Sequence, residues 1–251
     1  MGLFNSSNPT LSEKTLRRSL DAVGGDAMTA MGALYKFGFL LLMVLGASVY
    51  TWKAVSGGQN VTMLMMGGVL VGFVLSLVIV FRRQWAPYLA PAYAIAEGLF
   101  IGGLSAMMSD AFAETAPFIV QQAVLLTFST AIVMFLLYRF RIIRVTQQFR
   151  SVIISATLGI AVFYLLAMVL GFFNIHIAFL HEGSMIGILF SIAVVAIAAL
   201  NLLLDFDMIE QGESMGAPAY MEWYCAFALM VTIVWLYIEI LRLLSKLYRR
   251  N

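Results

Sequence analysis

Two carboxylates within otherwise apolar sequence are the residues of this chain best placed to do chemistry. Asp205 closes one long apolar run, Glu239 lies within the next run, and an acidic hinge joins the two. An ionisable side chain in hydrocarbon costs about 2.5–3.5 kcal/mol on insertion scales, so an acid kept there indicates a functional site. Two acids that meet share one proton near neutral pH, and they repel each other once it is lost. The sequence therefore predicts a proton-sensitive contact between Asp205 and Glu239.

A structural interpretation of the same two acids is equally open. In that case Asp205 lies at the lipid headgroups, where a carboxylate is hydrated. Glu239 then pairs with Arg242, which lies three residues further along the same helix face. Both interpretations remain open at the level of sequence.

Three further polar residues are candidates for an ion or proton pathway. Glu97 lies deep in the third apolar run, where it either lines a cavity as a ligand or makes a structural hydrogen bond to a neighbouring helix. Asn201 precedes Asp205 by four residues on one helix face, so it either orients that carboxylate or joins two helices. Asp207 begins an acidic rim that either gathers cations or keeps the loop hydrated. The rim consists of Asp207, Glu210, Glu213 and Glu222.

Composition identifies the class of protein. The 251 residues are 62% hydrophobic and only 11% charged, which is typical of a polytopic membrane protein. The Lys and Arg residues lie mostly in short loops, where they act as topology signals and not as a nucleic-acid surface. The sequence has no nucleophile elbow, zinc-protease motif, P-loop or dinucleotide loop, and the spacing of His176 and His181 fits no common zinc motif. We therefore expect no enzyme active site, no bound cofactor and no nucleic-acid partner.

Seven apolar runs approach or exceed the roughly 20 residues needed to cross a bilayer. We therefore predict an all-α bundle of seven transmembrane helices over residues 31–251, preceded by a polar cytoplasmic tail over residues 1–30. The predicted runs are Phe37–Tyr50 (or Ala33–Trp52 if Lys36 reaches the headgroups), Met63–Phe81, Tyr88–Met108, Gln122–Tyr138, Val152–Phe173, Met185–Leu204 and Trp223–Leu244.

The basic residues predict a cytoplasmic amino terminus, but they disagree with seven full crossings. Ten of them fall on the amino-terminal side of the predicted bundle, against Lys53 alone on the other side: Lys14, Arg17, Arg18, Lys36, Arg82, Arg83, Arg139, Arg141, Arg144 and Arg150. Seven crossings would place four more outside, namely Arg242, Lys246, Arg249 and Arg250. Either helix seven crosses against the charge bias, or one of the last two segments is re-entrant.

Several stretches that contain these residues resemble the Bax inhibitor-1 family, most closely its bacterial branch. The resemblance covers essentially the whole chain, and its last two stretches are the most specific. The stretches are Asn8-Pro9, Arg82-Arg83 followed by AIAEGLFIG, RVTQQFR at Arg144–Arg150, LNLLLDFDMIEQG at Leu200–Gly212, and MEWYCAFALMVTIVWLYIEILRLLSKL at Met221–Leu247. The resemblance implies a multi-pass protein of the bacterial inner membrane, with helix seven near the centre, that acts as a pH-sensitive calcium leak.

The resemblance also implies roles for individual residues. Asp205 and Glu239 match a pair of acids that shares a proton and closes the pore, with Arg82, or its neighbour Arg83, as the basic residue nearby. The pair would also bind calcium transiently, so that calcium is a permeant ion and not a resident cofactor. In this chain the second acid is Glu instead of Asp, and Arg242 replaces a neutral residue, which would hold Glu239 ionised and away from Asp205.

Two other functions are compatible with the sequence. The chain would be a membrane-embedded binding protein that modulates a membrane protease or another membrane partner, as the resemblance to some bacterial relatives implies. Alternatively it would be a proton-coupled transporter of a small solute that uses the same buried acids. In each case the lipid bilayer is its surroundings, and calcium ions and protons are partners only of the leak and transport functions.

Overall fold

The computed structural model describes residues 27–173 and 184–250, and in these ranges the chain forms seven long helices. Each of the seven is long and apolar enough to cross a membrane. The helices are α1 Ala30–Ser56, α2 Thr62–Phe81, α3 Ala86–Ala111, α4 Ile119–Arg139, α5 Gln147–Phe172, α6 Met185–Ser214 and α7 Tyr220–Arg250. The predicted seven-helix membrane bundle is confirmed, whereas His176 and His181 lie outside the described residues.

Hydroxyl side chains fix where three of the helices begin. Each of these residues has extended backbone angles and accepts a hydrogen bond from the amide three residues later, which satisfies a donor that the first helical turn leaves unpaired. The pairs are Thr29 with Gly32 for α1, Thr146 with Phe149 for α5, and Ser184 with Gly187 for α6. α1 consequently begins well before the apolar run Phe37–Tyr50 and includes Lys36.

Helix α7 lies at the centre of the bundle, as predicted. It packs against α1, α3, α4 and α6, and it contributes the largest share of buried residues, from Glu222 to Lys246. α5 is peripheral and packs mainly on α6. The buried charged side chains of α7, such as Glu239 and Lys246, therefore face other helices.

Close contact between α1 and α3 depends on two glycines of α3. A Cβ atom at Gly98 would lie 2.4 Å from the carbonyl oxygen of Val44, and one at Gly102 would lie 2.2 Å from that of Ser48. These distances are shorter than any van der Waals contact, so only glycine allows the two backbones to approach this closely.

The path of α7 resolves the alternatives left open by the basic residues. It is one uninterrupted helix of 31 residues, about 46 Å long. At its end, the Tyr248 hydroxyl donates to Gln122 Oε1 at 2.8 Å, near the start of α4. α7 therefore runs the full length of the bundle, and neither α6 nor α7 is re-entrant. We call the end of the bundle at the start of α1 the near end, and the end at the carboxyl terminus of α7 the far end.

The chain just before α1 is fastened to the loop between α6 and α7. Met28 N donates to Ala217 O at 2.7 Å, and the Met28 side chain is only 2% exposed. Glu222 at the start of α7 accepts from Thr29 N at 2.8 Å and forms an ion pair with Lys36. The last residues of the predicted polar tail are thus packed, and Glu222 is not a free member of the acidic rim.

Candidate functional site

Two contacts fix how α6 and α7 lie along each other. Lys246 Nζ donates to Ser191 Oγ at 2.9 Å, and Thr232 lies beside the carboxyl group of Asp205. The two contacts are fourteen residues apart on each helix, so the helices run antiparallel and in step. Glu239, seven residues from Thr232, is therefore about 10 Å further along the helix pair than Asp205.

The predicted contact between Asp205 and Glu239 is therefore not formed. Because the two acids lie at different depths, the structure does not bring their carboxyl groups together. Among the described residues, no group of three or more His, Cys, Asp or Glu side chains is arranged to hold a metal ion. The resemblance places two acids on neighbouring helices but does not give the offset between those helices.

Asp205 is the more unusual of the two acids. Its Oδ2 atom is sealed from solvent, and no hydrogen-bond partner for it occurs in the described part of the chain. Thr232 of α7 forms a side-chain hydrogen bond with the same carboxyl group, and its hydroxyl also lies 3.2 Å from Ala228 O. One oxygen of Asp205 is therefore buried inside the protein, although the residue as a whole is half-buried.

Glu239 has the partner that the structural interpretation predicted and one that it did not. Its side chain is 2% exposed, and its Oε1 lies 2.9 Å from Nη1 of Arg242. The Tyr164 hydroxyl of α5 donates to Glu239 Oε2 at 3.1 Å and accepts from Arg242 Nη1 at 2.5 Å. The guanidinium also stacks on the Tyr164 ring, 4.8 Å from its centroid. Arg242 thus holds Glu239 in a cluster that joins α5 to α7.

Lys246 is a buried cation that sequence reasoning counted only as a topology signal. Its side chain is 1% exposed. Nζ donates to Gly187 O at 3.0 Å and to Ser191 Oγ at 2.9 Å, both on α6. No ion pair between described residues includes Lys246. Its charge is therefore solvated by a carbonyl and a hydroxyl, without a neutralising carboxylate.

Asn201 and Asp207 both connect α6 to α5. The Asn201 amide donates to Thr157 Oγ1 at 2.8 Å, so this residue joins helices and does not orient Asp205. Asp207 Oδ2 lies 2.5 Å from Arg150 Nη2 and accepts from Gln211 Nε2 at 2.7 Å. The predicted rim residue Asp207 is therefore neutralised by Arg150.

The basic residue predicted beside the acids has a different neighbour. Arg82 ends α2 and is exposed, and none of the ion pairs between described residues includes it. Arg83 is the one that reaches α7, where its guanidinium stacks on the Tyr224 ring at 5.0 Å from the centroid. Of the two alternatives, Arg83 is the residue in contact with the central helix.

Glu97 lies on the opposite side of α7 from Asp205, in the contact between α2 and α3. Its Oε2 would lie 3.3 Å from a Cβ atom at Gly72 of α2, and Tyr93, one turn earlier, forms a hydrogen bond with its carboxylate. The Tyr93 ring packs edge-on against Phe227 of α7, with centroids 4.9 Å apart. Glu97 is thus linked to the central helix through one aromatic residue.

The polar side chains of α5 form a regular series. Arg150, Thr157 and Tyr164 are spaced by seven residues and contact Asp207, Asn201 and Glu239 respectively. We call this contact region, with Ser191 and Lys246 at its far end, the α5–α6–α7 seam. The spacing of seven in α5 was the sequence signal that would have revealed it, because residues seven apart share a helix face.

A cavity of about 420 Å³ opens at the near end, between α1, α4 and α6. Phe206 forms part of its wall and is the residue next to Asp205. The charged residues of its lining are Arg139, Arg141, Glu210 and Glu213. The cavity therefore opens at the near end of the bundle and reaches the turn of α6 that contains Asp205, although Asp205 itself is not part of its lining.

These features define an integral, multi-pass membrane protein whose described residues form seven membrane-length helices, with charged side chains buried around the central one. The model of the family described as Bax inhibitor 1 like matches residues 8–249. The chain therefore belongs to the Bax inhibitor-1-like family. Neither a curated protein nor a solved structure matches it.

Proposed function

We propose that this protein is a pH-sensitive, calcium-permeable leak channel that the protonated Asp205 holds closed. The observation that carries the proposal is the sealed Asp205 Oδ2 atom, which has no hydrogen-bond partner in the described part of the chain. In place of the predicted pair of acids, the proposal now uses a single acid at the contact between α6 and α7.

The closing force follows from the cost of a buried charge. An ionised carboxylate without a partner costs several kcal/mol in a protein interior, whereas a neutral carboxyl group that lacks one hydrogen bond costs about 1–3 kcal/mol. The closed packing therefore favours a protonated Asp205. Loss of the proton makes that packing unstable, and the stable alternative is one in which water reaches the carboxylate between α6 and α7.

The near-end cavity supports an entrance for the permeant ion. It reaches Phe206 beside Asp205 and includes the carboxylates of Glu210 and Glu213 in its lining. Calcium prefers oxygen ligands, and a hydrated carboxylate at Asp205 would supply one of them. Glu97 is a second candidate on the other side of α7. The greater number of basic residues at the near end favours a cytoplasmic location for this end of the bundle. The membrane that we propose is a bacterial inner membrane.

The experiment is a calcium flux assay with the full chain in proteoliposomes that enclose a calcium indicator. We expect flux to increase as pH is raised from about 6 to about 8, because ionisation of Asp205 opens the α6–α7 contact. Protein-free vesicles of the same lipids are the control. No flux, or a flux that is the same at every pH, would contradict the proposal. Proton movement driven by a solute gradient, without calcium flux, would favour the proton-coupled transporter.

A further inference from the structure

The far half of the α5–α6–α7 seam carries more positive than negative charge. Among the described residues of the seam, Arg242 and Lys246 are cations and Glu239 is the one carboxylate. Beside them, the exposed Arg250 contacts Met185 at the start of α6 and adds a further cation. Lys246 and Glu239 are both buried, so bulk water screens neither charge strongly.

The start of α6 adds to the positive potential. Gly187, whose carbonyl oxygen accepts from Lys246 Nζ, is the third residue of α6. A helix amino terminus carries a partial positive charge of about half an elementary unit. The buried ammonium group therefore lies where the helix dipole strengthens its field.

Polar neighbours solvate these two cations without neutralising both. Lys246 donates to Ser191 Oγ and to Gly187 O. Arg242 donates to Glu239 and stacks on the Tyr164 ring. Among the described residues of the seam, one carboxylate set against two cations leaves one unbalanced positive charge. A cation that moves along the seam from the near end past Asp205 would meet the Glu239–Arg242 pair and then the Lys246 ammonium group.

We propose that Arg242 and Lys246 form an electrostatic barrier in the far half of the seam that limits cation flux and disfavours divalent ions most. The proposal rests on the leak function and names the residues that set its ion selectivity. The energy of an ion in an electrostatic potential is proportional to its charge. The barrier is therefore twice as high for calcium as for potassium.

This proportionality gives the test a numerical form. Removing one positive charge lowers the barrier for calcium by twice the amount for potassium, so the factor by which calcium flux increases is the square of the factor for potassium. If potassium flux increases about threefold, calcium flux increases about ninefold. A helix contact that is merely loosened would increase both fluxes by one common factor.

The test variant is Lys246→Met, because an apolar side chain of similar length is generally tolerated in place of a buried charge. Potassium and calcium fluxes are measured in proteoliposomes at a fixed pH of about 8, where the proposed gate is open. Lys246→Gln is a second variant with the same charge change, and its measurement decides the question if Lys246→Met does not fold.

Three control variants separate charge from packing. Lys53→Gln removes a lysine from the exposed last turn of α1 at the same end of the bundle, outside the seam, and should change neither flux. Lys246→Arg keeps the charge and should keep the ratio of calcium to potassium flux. The double variant Glu239→Gln with Arg242→Gln also leaves the net charge of the seam unchanged, so we expect the wild-type ratio.

An equal increase of both fluxes in the two Lys246 variants, or no change in either flux, would overturn the barrier. If wild-type protein shows the pH-dependent leak while the flux ratio of these variants is unaltered, only the barrier fails. If wild-type protein shows no leak at all, the proposed function fails and the barrier falls with it.

Discussion

Arg242 and Glu239 form one ion pair, but they are buried to different extents. The Glu239 side chain is 2% exposed, whereas the Arg242 side chain is 35% exposed. A charge that loses its partner is costly where water cannot replace that partner, and cheaper where water can. The pair should therefore respond unequally when one member is removed.

We expect Arg242→Gln to destabilise the protein more than Glu239→Gln does. The first change leaves a buried carboxylate without its cation, which typically costs about 3–5 kcal/mol. The second leaves a half-exposed guanidinium that still stacks on Tyr164, so its cost should be clearly smaller. Thermal unfolding of the detergent-solubilised variants measures the difference, and the double variant should recover part of the loss. Equal destabilisation by the two single variants would contradict this account of the cluster.

The sequence predicted part of this cluster for a clear physical reason. A spacing of three residues on one helix places Glu239 and Arg242 on the same face, whatever the rest of the fold does. Tyr164 comes from a helix 75 residues earlier in the chain. The contact of Tyr164 with Glu239 depends on the packing of α5 against α6, which no local pattern specifies. The unpartnered oxygen of Asp205 could not be predicted for the same reason. The absence of a partner depends on every side chain in the contact between α6 and α7.

At the scale of the helix, the glycines of α3 carry the clearest stability prediction. Gly102→Ala should destabilise the bundle by about 1–3 kcal/mol, since the new Cβ atom would overlap the backbone of Ser48, which cannot rotate away. Thermal unfolding in detergent measures the change.

Gly46→Ala on α1 is the matched control. A Cβ atom at Gly46 has no neighbour within 4 Å, so the substitution should stabilise the protein by up to about 1 kcal/mol through helix propensity. If the two substitutions shift the unfolding temperature alike, the close approach of α1 to α3 is not what the glycines provide.

The presence of the helices could be predicted from the sequence. The position of one helix along its neighbour could not. Seven apolar runs of sufficient length predict seven spans because an unsatisfied backbone is too costly in lipid. The offset of α6 against α7 is set by particular side chains, such as Lys246 against Ser191. If that offset is misjudged by two helical turns, two acids that lie apart are predicted to be in contact.

For the molecule as a whole, the distribution of charge agrees only partly with its topology. Arg242 and Lys246 reach the far half because α7 runs the full length of the bundle, which breaks the expected bias of basic residues towards one side. Their side chains explain how this is tolerated: Glu239 neutralises one, and α6 solvates the other. From the sequence we interpreted Arg242 and Lys246 only as topology signals. Their contacts show that they also take part in the packing of the bundle.

The near end has a different arrangement, in which acids and bases are paired. Asp207 binds Arg150, Glu210 binds Arg141 and Glu222 binds Lys36, so most of the predicted acidic rim is neutralised. No ion pair between described residues includes Asp205, which lies two residues before Asp207. The contrast singles out Asp205 as the acid that can gain or lose charge at the cost of the packing around it.

The most direct test of this account compares Asp205→Asn with wild-type protein in the calcium flux assay, from about pH 6 to about pH 8. Asparagine has the shape of the neutral acid but cannot ionise, so we predict that flux through Asp205→Asn stays low at every pH while wild-type flux increases. Asp110→Asn, the same change at an exposed position near the end of α3, should behave as wild type. A variant at Asp205 whose flux increases with pH as wild-type flux does would show that this carboxyl group does not hold the protein closed.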